Sequence, residues 1–197
     1  MKTLKIIWLN GLGVIVLFLV WAWPVALKQH LLGSGSNPQN SHETTTPTQY
    51  VNSQAGFKIT MPAGWQEITT QAGNLADFKN SQSVIIPGTG SYSPYIDIVS
   101  APAQFPSLGA LVSADISGLS LQTFNFRSIS STPETIDGQP ASLLSYSFRQ
   151  EGTPPLTNAQ LIVVKNDTEY GITGTSLSSD WALYSGDIQK ALLSLQI

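Results

Sequence analysis

The sequence predicts an α+β domain, with helices laid on a central antiparallel sheet, preceded by one transmembrane helix. Three observations carry that expectation. The 22 residues from Ile6 to Leu27 hold no charge and one strongly polar side chain, Asn10; a helix rises about 1.5 Å per residue, so roughly 20 apolar residues cross a hydrocarbon core. Downstream, stretches of two-residue apolar alternation are joined by short turn signals, the pattern of strands with one buried face. Two other stretches repeat their apolar residues at helical spacing, and one of them lies at the very end of the sequence.

Residues 1–32 are expected to form a signal anchor. Lys2 and Lys5 precede the apolar run and only Lys28 and His30 follow it closely, a bias that places the N-terminus in the cytoplasm and the C-terminal part outside it, in the periplasm or at the cell surface. Trp8 near one end and Trp21 and Trp23 near the other match an aromatic belt. The run exceeds the apolar region of about 7–15 residues found in a cleaved signal peptide. Residues 33–47 are rich in Gly, Ser, Asn, Thr, Gln and Pro, which reads as a flexible tether because such side chains cannot fill a core. His30 and His42 flank or lie in this segment and are read as solvated.

Residues 48–197 form one domain by size. Phe57-Lys-Ile-Thr-Met61 alternates and stops at Pro62, and Tyr95-Ile-Asp-Ile-Val-Ser100 puts Ile96 and Ile98 on one face with Tyr95, Asp97 and Val99 on the other; both are predicted strands. Asp97 is expected to face water, as unpaired charges are rarely buried. Between them, Pro87-Gly-Thr-Gly-Ser-Tyr-Ser-Pro94 carries a Gly-x-Gly without the third glycine or the following helix of a phosphate-binding loop. It is expected to be an exposed loop, and Gly88, Tyr92 and Tyr95 are its candidate partner contacts. Ser107–Leu121 is a predicted helix with Ser107 as N-cap and Leu108, Leu111, Val112, Ile116 and Leu119 on its apolar face.

Two hairpins follow. Asp137-Gly138 joins Ser128–Ile136 to Gln139–Gln150, and Asn166-Asp167 joins Leu161–Lys165 to Tyr170–Thr175. Asp167 and Glu169 are expected to be turn carboxylates. The last helix, Ser179–Ile197, has the stripe Trp181, Tyr184, Ile188, Leu192 and Leu195, with Ser178 or Ser179 as its cap.

Composition narrows the chemistry. The chain has no cysteine, and neither histidine lies in residues 48–197, so Ser-His-Asp and Cys-His nucleophiles and the usual zinc sites are excluded. In residues 48–197 eleven acids face six bases, two of them arginine, which lacks the cationic footprint of a nucleic-acid binder. No cofactor is expected, and no enzyme activity. A hydrolase would have to rest on a Ser-Lys pair, for which Lys58, Lys79, Lys165 and Lys190 show no Ser-x-x-Lys signature, or on a carboxylate pair acting on an envelope glycan, such as Asp97 with Glu67 or Asp77. A carrier of a small apolar ligand would need an enclosed, apolar-lined cavity.

The opening Tyr50-Val-Asn-x-x-x-Gly56-Phe57-Lys-Ile-Thr-Met-Pro62-x-Gly64-Trp65 resembles the start of the PsbP-like superfamily. The Asp137-Gly-x-Pro-Ala141 turn with its Leu144–Phe148 strand, the Lys165–Tyr170 hairpin and the closing Ile188-x-x-Ala-Leu-Leu-Ser-Leu195 resemble its C-terminal half. The resemblance implies a central antiparallel sheet flanked by helices in an α/β/α arrangement and non-enzymatic roles: support of photosystem II oxygen evolution, assembly of photosynthetic complexes, or binding of small GTPases. The histidine-free, lysine-poor domain and its anchor depart from the photosynthetic members, so the oxygen-evolution role is not carried over. The expected function is a membrane-tethered extracytoplasmic binding or assembly module whose partner is another envelope or membrane protein.

Overall fold

The computed structural model describes residues 46–86, 90–149 and 153–197; the predicted anchor, almost all of the tether, and Gly88 lie outside them. Eleven strands and two helices follow in the order β1 (Thr48–Asn52), β2 (Phe57–Met61), β3 (Trp65–Glu67), β4 (Ala76–Asn80), β5 (Val84–Ile86), β6 (Gly90–Tyr92), β7 (Tyr95–Pro102), α1 (Leu108–Gln122), β8 (Phe124–Ile136), β9 (Gln139–Arg149), β10 (Leu156–Lys165), β11 (Thr168–Leu177) and α2 (Trp181–Leu193). Seven strands form one antiparallel sheet in the order β3-β4-β7-β11-β10-β9-β8. The hairpins β1-β2 and β5-β6 stand apart from it. Neither helix among the described residues is long and apolar enough to cross a membrane.

Turn chemistry sets the register of the two central hairpins. Asp137 and Gly138 both have positive φ (48° and 77°), as do Asn166 and Asp167 (51° and 58°). Two consecutive left-handed residues make the two-residue turn whose twist matches the flanking strands, and glycine, Asn and Asp tolerate that backbone. The ladders accordingly close with Ile136 opposite Gln139 and Lys165 opposite Thr168. β10 runs five residues further upstream than the periodicity predicts, because Leu156-Thr-Asn-Ala-Gln is buried on both faces and shows no alternation.

The two faces of the sheet are packed differently. One meets α2 and the β1-β2 hairpin in an apolar core that includes Ile59, Trp65, Phe78, Ile98, Leu161, Ile172, Ile188 and Leu192. α2 starts at Asp180 rather than at either serine: Asp180 is the N-cap, with no side-chain capping bond, while Ser179 Oγ donates to its Oδ1 at 2.8 Å. The chain past α2 leaves helical geometry, and Gln196 pairs with Lys58 of β2 through two backbone hydrogen bonds of 2.9 Å. The other face meets α1 and β6 in a second core around Tyr92, Leu111, Leu119, Leu144, Tyr146, Phe148 and Ile162. As predicted, the Ser107 hydroxyl caps α1 by accepting from Ala110 N–H at 3.2 Å. Ser113, Ser117 and Ser120 return their hydroxyls to carbonyls three or four residues back, which lets a serine-rich helix keep its polar groups bonded.

Candidate functional site

Tyr92 and Tyr95 are not exposed contact residues. Their side chains retain 1% and 2% of their accessible surface and belong to the core beneath α1. The segment read as a loop is a hairpin, with β6 pairing Tyr92 to Val84, and what it exposes is Ile85, 81% accessible, together with Ser91. The sequence signal for burial was available in the aromatic rings, but the surrounding glycines and prolines masked it. Glu169 is likewise a strand residue, 2% exposed in β11, and not a turn carboxylate.

The sheet face under α1 is crossed by two polar rows. The register places Asp77 of β4 opposite Asp97 of β7, Asp97 opposite Thr173 of β11, and Thr173 opposite Gln160 of β10. The adjacent row runs Lys79, Tyr95, Thr175, Asn158 and Tyr146 across β4, β7, β11, β10 and β9. Directly opposed residues have Cβ atoms about 4.5–5.5 Å apart, so each row is a continuous line of hydrogen-bonding groups. α1 adds Asp115 from above, 5% exposed and bonded to Gln160. Asn158 Nδ2 donates to Tyr146 Oη at 3.2 Å. Asp115 Oδ2, Gln160 Oε1, Asn158 Oδ1 and Glu169 Oε2 are buried acceptors without a hydrogen-bond partner.

Burial shapes the electrostatics of this layer. It pushes the Asp97 carboxyl up to about 8, helped by the neighbouring Asp77 charge. It raises Asp115 to about 6 against the opposing Gln160 hydrogen bond, and Glu169 to about 7 with a contribution from Asp115. Asp97, expected to face water, is half-buried on the central strand β7, between Asp77 and Thr173. The error has a physical source: alternation identifies which residues share a face and is silent on whether that face is covered.

The Asp77–Asp97 pair is the carboxylate juxtaposition a glycan hydrolase would need, but Asp77 is committed elsewhere. Its Oδ2 accepts from Gln71 N–H and its Oδ1 from Asn74 Nδ2, both at 2.6 Å, fastening the turn before β4. Asp77→Ala is expected to cost about 2–3 kcal/mol, since it removes two hydrogen bonds to a charged group, partly offset by relief of repulsion on Asp97. Urea denaturation near neutral pH checks this; a change below about 0.5 kcal/mol would show that the turn holds without it. Among the described residues, no three acidic or histidine side chains converge as a metal-binding group.

Two surface features complete the picture. At the junction of α1 and the edge strand β8, Leu121, Phe124 and Ile129 are 86%, 59% and 60% exposed. β8 irregularities flank this stretch, between Phe124 and Arg127 and between Ser128 and Ser130, which turn side chains outward and spoil the edge for ladder pairing. On the opposite layer an open cleft of about 360 Å³ is lined by Asn52, Phe57, Lys58, Asp137 and Ile197. Lys165 bridges two of its lining residues, pairing with Asp137 at 3.0 Å and donating to the main-chain oxygen of Ile197. The hydrogen bond from Lys165 to Asp137, followed by the attraction of the Lys165 charge, holds the Asp137 carboxyl below its usual range.

An antiparallel sheet between two helical layers, with hairpins at its margins, defines a PsbP-like fold. Solved structures bear this out. A cyanobacterial PsbP, CyanoP from Synechocystis, superposes with a TM-score of 0.56 at 12% identity, covering 83% of this chain and 98% of that one. LpqN of Mycobacterium tuberculosis, involved in cell envelope biogenesis, gives 0.57 at 14% identity over 82% of this chain and 86% of its own. A Pseudomonas aeruginosa protein of unknown function gives 0.53 at 18% identity over 76% and 95%. No protein-family model matches the sequence. No curated protein matches it either. At these identities the likeness is one of fold.

Proposed function

We propose that the chain is a single-pass, membrane-anchored protein whose extracytoplasmic PsbP-like domain is a non-catalytic binding or assembly module, and that its partner, another envelope or membrane protein, docks at the α1–β8 junction. The observation that carries the reading is the exposure of three large apolar side chains, Leu121, Phe124 and Ile129, within nine residues of the α1–β8 segment at one margin of the sheet. Exposed apolar side chains scattered singly are ordinary, whereas a group of them at one edge marks an interaction surface. The uncharged run before the domain and the Ser/Thr/Pro-rich tether support the membrane location, and a tether raises the effective concentration of the domain toward membrane partners. The shared fold with CyanoP and with LpqN, a protein of envelope biogenesis, fits such a role.

Photo-crosslinking in native membranes tests it. With p-benzoylphenylalanine in place of Leu121, Phe124 or Ile129, a discrete adduct of higher mass is expected; the same probe at Leu183, 77% exposed on α2, is expected to give none. Phe124→Asp should abolish the adduct formed from position 129 while changing stability by less than about 0.5 kcal/mol, as surface substitutions do. Identical adduct patterns from all four positions, or no adduct from any, would remove the reason for placing a partner there.

A further inference from the structure

We propose that the layer between α1 and the sheet is a proton-operated latch: with its interior carboxyl groups protonated α1 is held against the sheet, and when they ionise α1 is released while the strands stay paired. This goes beyond the binding role and does not depend on which partner the domain has.

The geometry sets up the device. Asp115 is the one ionisable residue of α1, and it is turned into the interior, where it bonds Gln160 and interacts with Glu169 and Tyr146. Each element against this layer can be inventoried. β4 presents Asp77 and Lys79, β7 presents Tyr95 and Asp97, β11 presents Glu169, and β9 presents Tyr146. β6 adds Tyr92, which lies near Asp180, and the inward residues of β8 and β10 are not ionisable. Among the described residues, Lys79, half-buried at the margin of the second row, is the single cation on these inward positions, against four carboxylates.

The unpartnered atoms point the same way. Asp115 Oδ2, Glu169 Oε2, Gln160 Oε1 and Asn158 Oδ1 are buried acceptors without a partner, in a layer where the Tyr92 and Thr175 hydroxyls are likewise unbonded. A proton on Asp115 or Glu169 converts an acceptor into a donor, which satisfies two orphaned groups at once. Ionisation does the reverse, leaving buried charge without a counter-charge. The strands keep their ladder hydrogen bonds whatever the protonation state, whereas α1 is fixed to the sheet by side chains alone, so α1 is the element that yields.

The sign follows from the raised values of about 6, 7 and 8 for Asp115, Glu169 and Asp97. Unfolded carboxylates titrate near 4, so the folded state binds more protons between those limits. Stability is full in mild acid and is lost as pH rises from about 4 toward 8.

Hydrogen–deuterium exchange on the full chain in detergent micelles, corrected for the intrinsic pH dependence of exchange, provides the test. Between about pH 5 and pH 8.5, protection over residues 108–122 is expected to fall roughly tenfold or more, and over residues 156–165 by less than about threefold. Asp115→Asn, neutral at both pH values and able to keep the Gln160 bond, is expected to hold α1 protection nearly constant. If that variant does not fold, Glu169→Gln gives the same reading with a partial effect. Unchanged α1 protection in the wild-type chain, a fall shared equally by β10, or a fall in the variant as large as in wild type would each overturn the latch.

Discussion

Gly174→Ala is expected to destabilise the domain by about 2–3 kcal/mol, a large loss for the addition of one methyl group. A Cβ at this position would stand 2.2 Å from Ile188 Cγ2, 3.2 Å from its Cβ and 3.3 Å from its Cγ1. Ile188 is fully buried in α2, and a β-branched residue in a helix has essentially one rotamer available. The side chain cannot swing aside, so α2 must move off β11 and open the apolar core along its length. Glycine replacement also restricts the unfolded chain, which favours folding by about 0.4–1 kcal/mol, but this is the smaller term. Denaturant unfolding of Gly174→Ala, Ile188→Ala and the pair together checks the cause. The Ile188 variant alone leaves a cavity costing about 2–4 kcal/mol, and the double variant should lose clearly less than the sum, since the new methyl fills that space. A Gly174 variant within about 0.5 kcal/mol of wild type would mean that α2 yields at this contact at little cost.

That contact illustrates what a sequence reading can reach. Gly174 looks like a weak point in a predicted strand until α2 is known to cross above it. The two type I′ hairpins were legible because Asp137-Gly138 and Asn166-Asp167 are local chemistry, and α1 was legible to within a residue because Ser107 is a local cap. Short strands were not. Trp65–Glu67, Val84–Ile86 and Gly90–Tyr92 have three residues each, too few for a period to show, and Ala76–Asn80 is buried at four of its five positions and so does not alternate. The polar layer was missed for a related reason. Asp97, Gln160 and Thr173 come from three separate strands, and Asp115 sits in α1 among the apolar Leu111, Val112, Ile116 and Leu119, where no local pattern marks a buried carboxyl. The pairing register brings the three strand residues together and the docking of α1 adds Asp115, and register follows from the turns and from both packed faces jointly.

The contrast between the two layers yields the remaining large effect. Leu161→Ala is expected to cost about 3–4 kcal/mol, and Leu111→Ala about 2 kcal/mol, although each deletes the same atoms. Leu161 is fully buried in β10 among apolar side chains that include Ile172, Ile188 and Leu192. Its cavity would be lined by groups with nothing else to contact and held in place by paired strands on either side. Leu111 is also buried, at 5% exposure, but it belongs to α1 and packs with Tyr92, Leu144 and Ile162 on the sheet face that also carries Asp97, Thr173 and Gln160. A helix seated on polar groups gains less from each buried methylene and can settle when one is lost, so a smaller fraction of the cavity term survives. The two variants should also differ in kind. Loss of Leu161 lowers exchange protection across the whole sheet, because β10 opens only with global unfolding, whereas loss of Leu111 raises exchange within residues 108–122 first. Hydrogen exchange at about pH 5, where the interior carboxyls are protonated, separates this packing effect from the latch. Equal losses for the two variants, with α1 and β10 deprotected in parallel, would mean that the layers act as one cooperative unit and that the polar rows do not weaken the hold on α1.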